Sequence, residues 1–96
     1  MSDKSAILQV LRTARERLAR PGGWIQGDFE RNGGFCVAGA CGMELRTRST
    51  KATSDAISRL EELIGRDWID LWNDAPGRTQ AEVVALVDRA ISEIDK

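Results

Sequence analysis

Between Gln80 and Ile94 the apolar residues Val83, Val84, Leu86, Val87, Ala90, Ile91 and Ile94 recur at helical spacing. On a helical wheel they fill an arc of about 160°. No stretch of the chain alternates apolar and polar residues with period two, and β-branched residues do not cluster. A core built from such a chain must therefore come from helix packed on helix. The arc is wider than the ~100° stripe of an ordinary surface helix. This last helix either lies between two neighbours or leaves part of its face for a partner.

The same periodicity marks the earlier helices. From Ser5 to Arg20, the positions Ile7, Val10, Leu11, Ala14 and Leu18 share one face. "RPGG" then stops the helix, because Pro21 disfavours helical backbone at Arg20. A further helix is expected from Thr53 to Ile64, with Ala56, Ile57, Leu60, Leu63 and Ile64 inward. "RDWIDLW" reads as a short helix with Trp68, Ile69, Leu71 and Trp72 on its apolar side. The segment "CVAGACGMEL", residues 36–45, is apolar around nearly its whole circumference, which marks a buried helix. An extended buried segment is the alternative that its glycines leave open. "WIQGDFERNGGF", residues 24–35, reads as a loop tied down by Trp24, Ile25, Phe29 and Phe35. The expected architecture is all-α: one domain over 1–96, about five helices around a short buried central helix, and one long aromatic-anchored loop. Trp24, Phe35, Trp68 and Trp72 are expected in the core.

Size and charge set the function classes. A chain of 96 residues buries only ~60–65% of its unfolded surface, so it has little apolar surface to waste. The apolar fraction of 42% suffices for a core, and a net charge of -1 argues against nucleic-acid binding as a default. Residues 1–50 hold eight Lys/Arg and five Asp/Glu; residues 51–96 hold six and ten. This asymmetry reads first as two differently charged solvated faces, and second as a polar molecule that steers toward a charged partner. No apolar run approaches the ~18–20 residues of a membrane span. The charged, amphipathic start lacks the apolar centre of a signal peptide, so a cytoplasmic location and no membrane partner are expected. Cys36 and Cys41, five apart, are poorly spaced for a disulfide if helical. With no histidine in the chain, they also cannot complete a four-ligand zinc site. Both read as small buried hydrophobes. No metal and no cofactor is expected.

The densest cluster of special residues is "WNDAPGRTQAE", from Trp72 to Glu82. Asn73 and Asp74 are suited to Asx turns, in which the side chain bonds the backbone two residues on. Pro76-Gly77 fits the centre of a type II turn. Thr79 and Glu82 spell a capping box for the last helix. Arg78 is expected to bond Asp74 or a helix C-terminus. The run "WNDAPGRT", followed by "AEVVALVDRAI", resembles a family of small uncharacterised proteins of actinobacteria and their bacteriophages, a domain of unknown function. The resemblance extends to the tryptophan in "GGWIQGDF" and to the Cys-x-x-Gly-Ala form of "CVAGA", Cys36 to Ala40. Some members carry a histidine after the threonine, where this chain has Gln80. That departure weakens any idea of shared catalysis, and the resemblance implies no activity.

Four functional readings follow. A cysteine-dependent enzyme would use Cys36 at a helix N-terminus, which lowers thiol pKa, yet the chain has no histidine base and no phosphate-binding motif. A DNA-binding helical domain built from residues 53–64 and 66–72 would present Asp67, Asp70 and Asp74 against Arg66, the wrong sign for phosphates. A small ligand would lie between the loop and the corner, lined by Trp24, Gln26, Trp72, Asn73, Asp74 and Arg78. A non-catalytic protein-binding module, phage-encoded and acting on a host protein, is favoured by elimination. A homodimer through the last helix is its variant.

Overall fold

The computed structural model describes residues 3–43 and 50–95. Glu44 and Leu45, read above as the end of the buried segment, lie outside the described residues, as do residues 46–49. Five helices are present among the described residues: α1 (Lys4–Ala19), α2 (Val37–Ala40), α3 (Lys51–Leu63), α4 (Ile69–Asn73) and α5 (Gln80–Ile94).

The three long helices make the core. α1 packs most extensively on α5, and α3 packs on both. Each begins with a side-chain cap: Asp3 accepts from the Ala6 N–H, Thr50 from the Thr53 N–H and Thr79 from the Glu82 N–H. Such caps satisfy backbone donors that a helix leaves without an intrahelical partner. Leu11 and Leu18 of α1, Leu60 of α3, and Val83 and Val87 of α5 are fully buried. Burying one such side chain contributes about 1.5–3 kcal/mol. The wide apolar arc of α5 is thus explained by two neighbours, with Val84, Ile91 and Ile94 half-buried at its edges.

Charge works the same way. Arg12 and Arg15 on α1 bond Asp95 and Asp88 at the end and on the flank of α5, at 3.2 and 2.8 Å. Part of the charge asymmetry between chain halves is therefore directed inward, one half against the other, across the α1–α5 seam. These pairs are half-exposed, so each is worth little in stability.

The buried central helix is a single turn. Cys36 through Cys41 are buried, as an all-round apolar segment requires, and α2 packs against α1 and α4. Gly39 explains how it fits: a Cβ there would stand 2.0 Å from the Phe29 carbonyl oxygen. The loop over α2 is more ordered than the sequence reading allowed. It contains a hairpin, β1 (Glu30–Arg31) antiparallel to β2 (Gly34–Phe35). Asn32 and Gly33 have φ of 51° and 82°, the two positive angles that a type I′ turn needs. Trp24 and Phe35 form a parallel bridge that closes the loop onto its own base.

The tryptophans correct the sequence reading. Trp24, Phe35 and Trp72 are half-buried rather than core, and Trp68 is 70% exposed. The reason lies in the register of α4. It starts at Ile69, with Trp68 as an N-cap that makes no side-chain cap bond. Its inward face is therefore Ile69, Trp72 and Asn73, spaced i, i+3 and i+4. Trp68 and Leu71 fall outside that face.

Candidate functional site

Asn73 organises the corner. It is fully buried at the last position of α4. Its Oδ1 accepts from the Trp24 indole N–H at 2.8 Å and from the Val37 N–H at 3.0 Å. Its Nδ2 donates to the Ile25 carbonyl at 3.1 Å and to Asp74 Oδ1 at 2.9 Å. Every one of its four hydrogen-bonding positions is filled. The expected local Asx turn at Asn73 is thus replaced by a long-range clip joining α4 to the loop and to the start of α2. Burial is the physical reason: a buried amide must find partners, and the loop backbone supplies them.

The neighbours extend the clip. Gln26 donates from Nε2 to the carbonyls of Asn73 and Ala75, at 3.0 and 3.1 Å. Asp74 Oδ1 also accepts from the Gly27 N–H at 3.1 Å. Arg78 donates from Nε to the Trp72 carbonyl at 2.9 Å, near the end of α4, as one expectation had it. Its guanidinium lies over the Trp72 ring at 4.0 Å and pairs with Glu82 at 3.0 Å. The Pro76-Gly77 turn closes through the Arg78 N–H to the Ala75 carbonyl, with φ of +82° at Gly77. The Thr79–Glu82 capping box is complete in both directions. Bonds from the Thr79 N–H and hydroxyl, then from Arg78, hold the Glu82 carboxyl below its usual pKa.

Cys36 lies at the same junction. Its Sγ accepts from the Gly39 N–H at 3.3 Å, capping α2. Burial pushes the thiol pKa up, and this outweighs the backbone N–H groups that favour the thiolate. A one-turn helix has too small a dipole to reverse that balance. Cys41 is pushed up further by burial, to about 12. Both cysteines are free.

Trp24, Gln26, Cys36, Trp72, Asn73, Asp74 and Arg78 are therefore brought into one cluster, and their polar groups are largely satisfied by one another and by nearby backbone. Two of them, Cys36 and Asp74, also face a hollow of about 260 Å³ with Gly27, Asp28, Phe29 and Asp70. Among the described residues, no group of three or more acidic, cysteine or histidine side chains is placed to hold a metal ion.

Sequence reasoning missed a second feature. Phe29, Met43, Ile57, Trp68 and Ile69 line a mainly apolar groove of about 350 Å³ between α3, α4 and the loop, with Glu61 and Asp70 also on its wall. Trp68 forms one wall, and Leu71, 61% exposed, lies one helical turn beyond it. The available signal was the shortness of α4: a five-residue helix cannot turn four large apolar residues inward.

Gln80, at the start of α5, has a structural task. Its Nε2 donates to the carbonyls of Leu18 and Arg20 at 2.7 and 2.8 Å, bonding the C-terminal end of α1. No helix among the described residues is long and apolar enough to cross a membrane. No curated protein and no solved structure matches the chain. A family sequence profile does match, over residues 2–93, and the chain belongs to that family, a family of unknown function, DUF6197.

Proposed function

We propose that the protein is a small non-catalytic module that binds another protein through the α3–α4 face. One observation carries this reading: Trp68 is 70% exposed on the wall of an apolar groove, with Leu71 exposed beside it. Scattered apolar side chains are ordinary on a surface, but two large ones three residues apart, next to a groove, form a patch. Exposed tryptophan is also the residue type most enriched among the anchors of protein interfaces.

The docking surface differs from the one the sequence suggested, since the apolar arc of α5 is packed against α1 and α3. The internal satisfaction of the Asn73 cluster and the raised Cys36 pKa support a structural role for that corner over a catalytic one. Pairing of Arg12 and Arg15 with Asp95 and Asp88 leaves α1 less basic charge to offer a nucleic acid. The resemblance to proteins of actinobacteria and their bacteriophages supports a bacterial host protein as the partner.

The test is affinity capture from an actinobacterial extract with the wild-type protein beside a Trp68→Ala/Leu71→Ala variant. The captured protein is then purified and its binding measured by calorimetry. Loss of a hot-spot tryptophan should weaken that binding by about 2 kcal/mol or more, while the variant unfolds within about 0.5 kcal/mol of wild type. Equal binding by both proteins, or no specific capture, refutes the reading.

A further inference from the structure

The apolar groove does not stand alone. It shares Phe29 and Asp70 with the 260 Å³ hollow, so the two form one furrow. The furrow changes chemistry along its length. At one end the apolar Met43, Ile57, Trp68 and Ile69 predominate, beside Ser54, Ser58 and Glu61. At the other are the carboxylates of Asp28, Asp70 and Asp74, with the neutral Cys36 thiol on the wall.

The segment around α4 is predominantly acidic. Residues 61–74 contain Glu61, Glu62, Asp67, Asp70 and Asp74 against a single basic residue, Arg66. Asp28 is paired with Arg31 and adds little. Asp70 and Asp74 use Oδ1 for bonds within the chain, to the Leu71 N–H and to the Gly27 and Asn73 N–H groups. Among the described residues, neither is paired with a basic side chain. Two uncompensated carboxylates beside an apolar slot favour a ligand that is apolar at one point and cationic at the next.

We infer that the furrow takes a short peptide segment of a partner protein, seating one large apolar side chain against Trp68 and one lysine or arginine between Asp70 and Asp74. This deepens the proposed function and rests on it. The molecule's own strongest basic stretch is a poor occupant, because Arg12 and Arg15 of α1 are paired with α5, and Arg17 donates to the Ala40 carbonyl and lies over the Phe35 ring.

The test uses a phage-displayed library of random dodecapeptides selected on the immobilised full-length chain. The strongest selected peptide is then synthesised and followed by fluorescence anisotropy. The expected consensus pairs an aromatic or large aliphatic residue with a nearby lysine or arginine. Trp68→Ala should weaken the peptide by roughly tenfold or more. Asp70→Asn/Asp74→Asn keeps side-chain acceptors for the Leu71, Gly27 and Asn73 N–H groups but removes the two charges. It should weaken binding about three- to tenfold and flatten the salt dependence. A neutral or acidic consensus that still requires Trp68 overturns the cationic inference and leaves the docking face standing. Peptides indifferent to Trp68→Ala, or no selected peptide at all, overturn both. A dimer by light scattering that Trp68→Ala dissociates makes the occupant a second copy of the chain, and also overturns the inference.

Discussion

Replacing Asn73 with alanine tests the structural argument most directly. The substitution removes a side chain with no solvent exposure and four hydrogen-bond partners. The partners differ in what they lose. The Val37 N–H belongs to a fully buried residue at the start of α2 and has no water to turn to. Leaving such a donor unsatisfied costs about 1–3 kcal/mol. The Trp24 indole N–H and the Ile25 carbonyl belong to half-buried residues, so water can replace their partner, at about 0.5–1 kcal/mol each. The expected loss is about 3 kcal/mol, a large part of the ~5–15 kcal/mol that holds a domain folded. Urea unfolding followed by tryptophan fluorescence measures it, with the m-value reporting whether the transition stays two-state. Trp24→Phe removes the N–H together with part of the indole ring at a half-buried position, so it should cost about 1–2.5 kcal/mol. The double variant should lose less than the sum of the two single losses, because both changes break the same bond. A loss below about 1 kcal/mol for Asn73→Ala, or strict additivity with Trp24→Phe, would refute the claim that Asn73 ties the loop to α2 and α4.

Four further outcomes are expected. Gly39→Ala should destabilise by at least about 1–3 kcal/mol, because its Cβ would meet the Phe29 carbonyl at 2.0 Å, although helix propensity alone predicts a gain; a melting temperature equal to or above wild type would contradict the close contact. Thr79→Ala should cost about 1 kcal/mol by removing the α5 cap. The Glu82 carboxyl, with its folded pKa depressed, stabilises the protein above the ordinary carboxyl range and loses that contribution as pH falls, so Glu82→Gln should flatten the acid limb of stability against pH. Native Cys36 and Cys41 should react with a disulfide reagent at neutral pH far more slowly than in the urea-unfolded chain, Cys41 slowest; a fast native phase would reopen the case for Cys36 as a nucleophile.

Much of the helical frame was legible because its signals are local and mutually consistent. The α5 boundaries, Gln80 to Ile94, follow from a capping box and an uninterrupted apolar period. The Pro76-Gly77 turn follows from two residues with fixed backbone preferences. The hairpin was missed although Asn-Gly in "RNGGF" favours a type I′ turn, because two-residue strands carry no alternation to reveal them. Asn73 was misread for a different reason. An Asx turn and a buried tertiary clip draw on the same amide, and only burial separates them. That burial depends on Trp24, 49 residues earlier in the chain, so no local pattern around Asn73 contains it.

Two placements of α4 differ in the fate of Trp68. A one-residue shift in its start would turn a tryptophan toward the core and take Asn73 out of reach of the Val37 and Trp24 N–H groups. The observed register satisfies those donors and leaves Trp68 and Leu71 in solvent. Burying the tryptophan instead would gain about 1.5–3 kcal/mol from its apolar surface. It would lose about 3 kcal/mol of hydrogen bonding, by the reckoning for Asn73→Ala. The two terms nearly cancel, so folding energetics alone give the exposed tryptophan no decisive advantage. Places where local pattern and global fold disagree without a stability gain tend to be functional. Here the disagreement falls on the wall of the furrow. Polar replacement of Trp68 should therefore leave stability nearly unchanged, within about 0.5 kcal/mol. A marked stabilisation by Trp68→Gln would instead say that the residue is held exposed at a cost to the fold, which strengthens the case for a binding role; a marked loss would show that it supports the core and would remove that case.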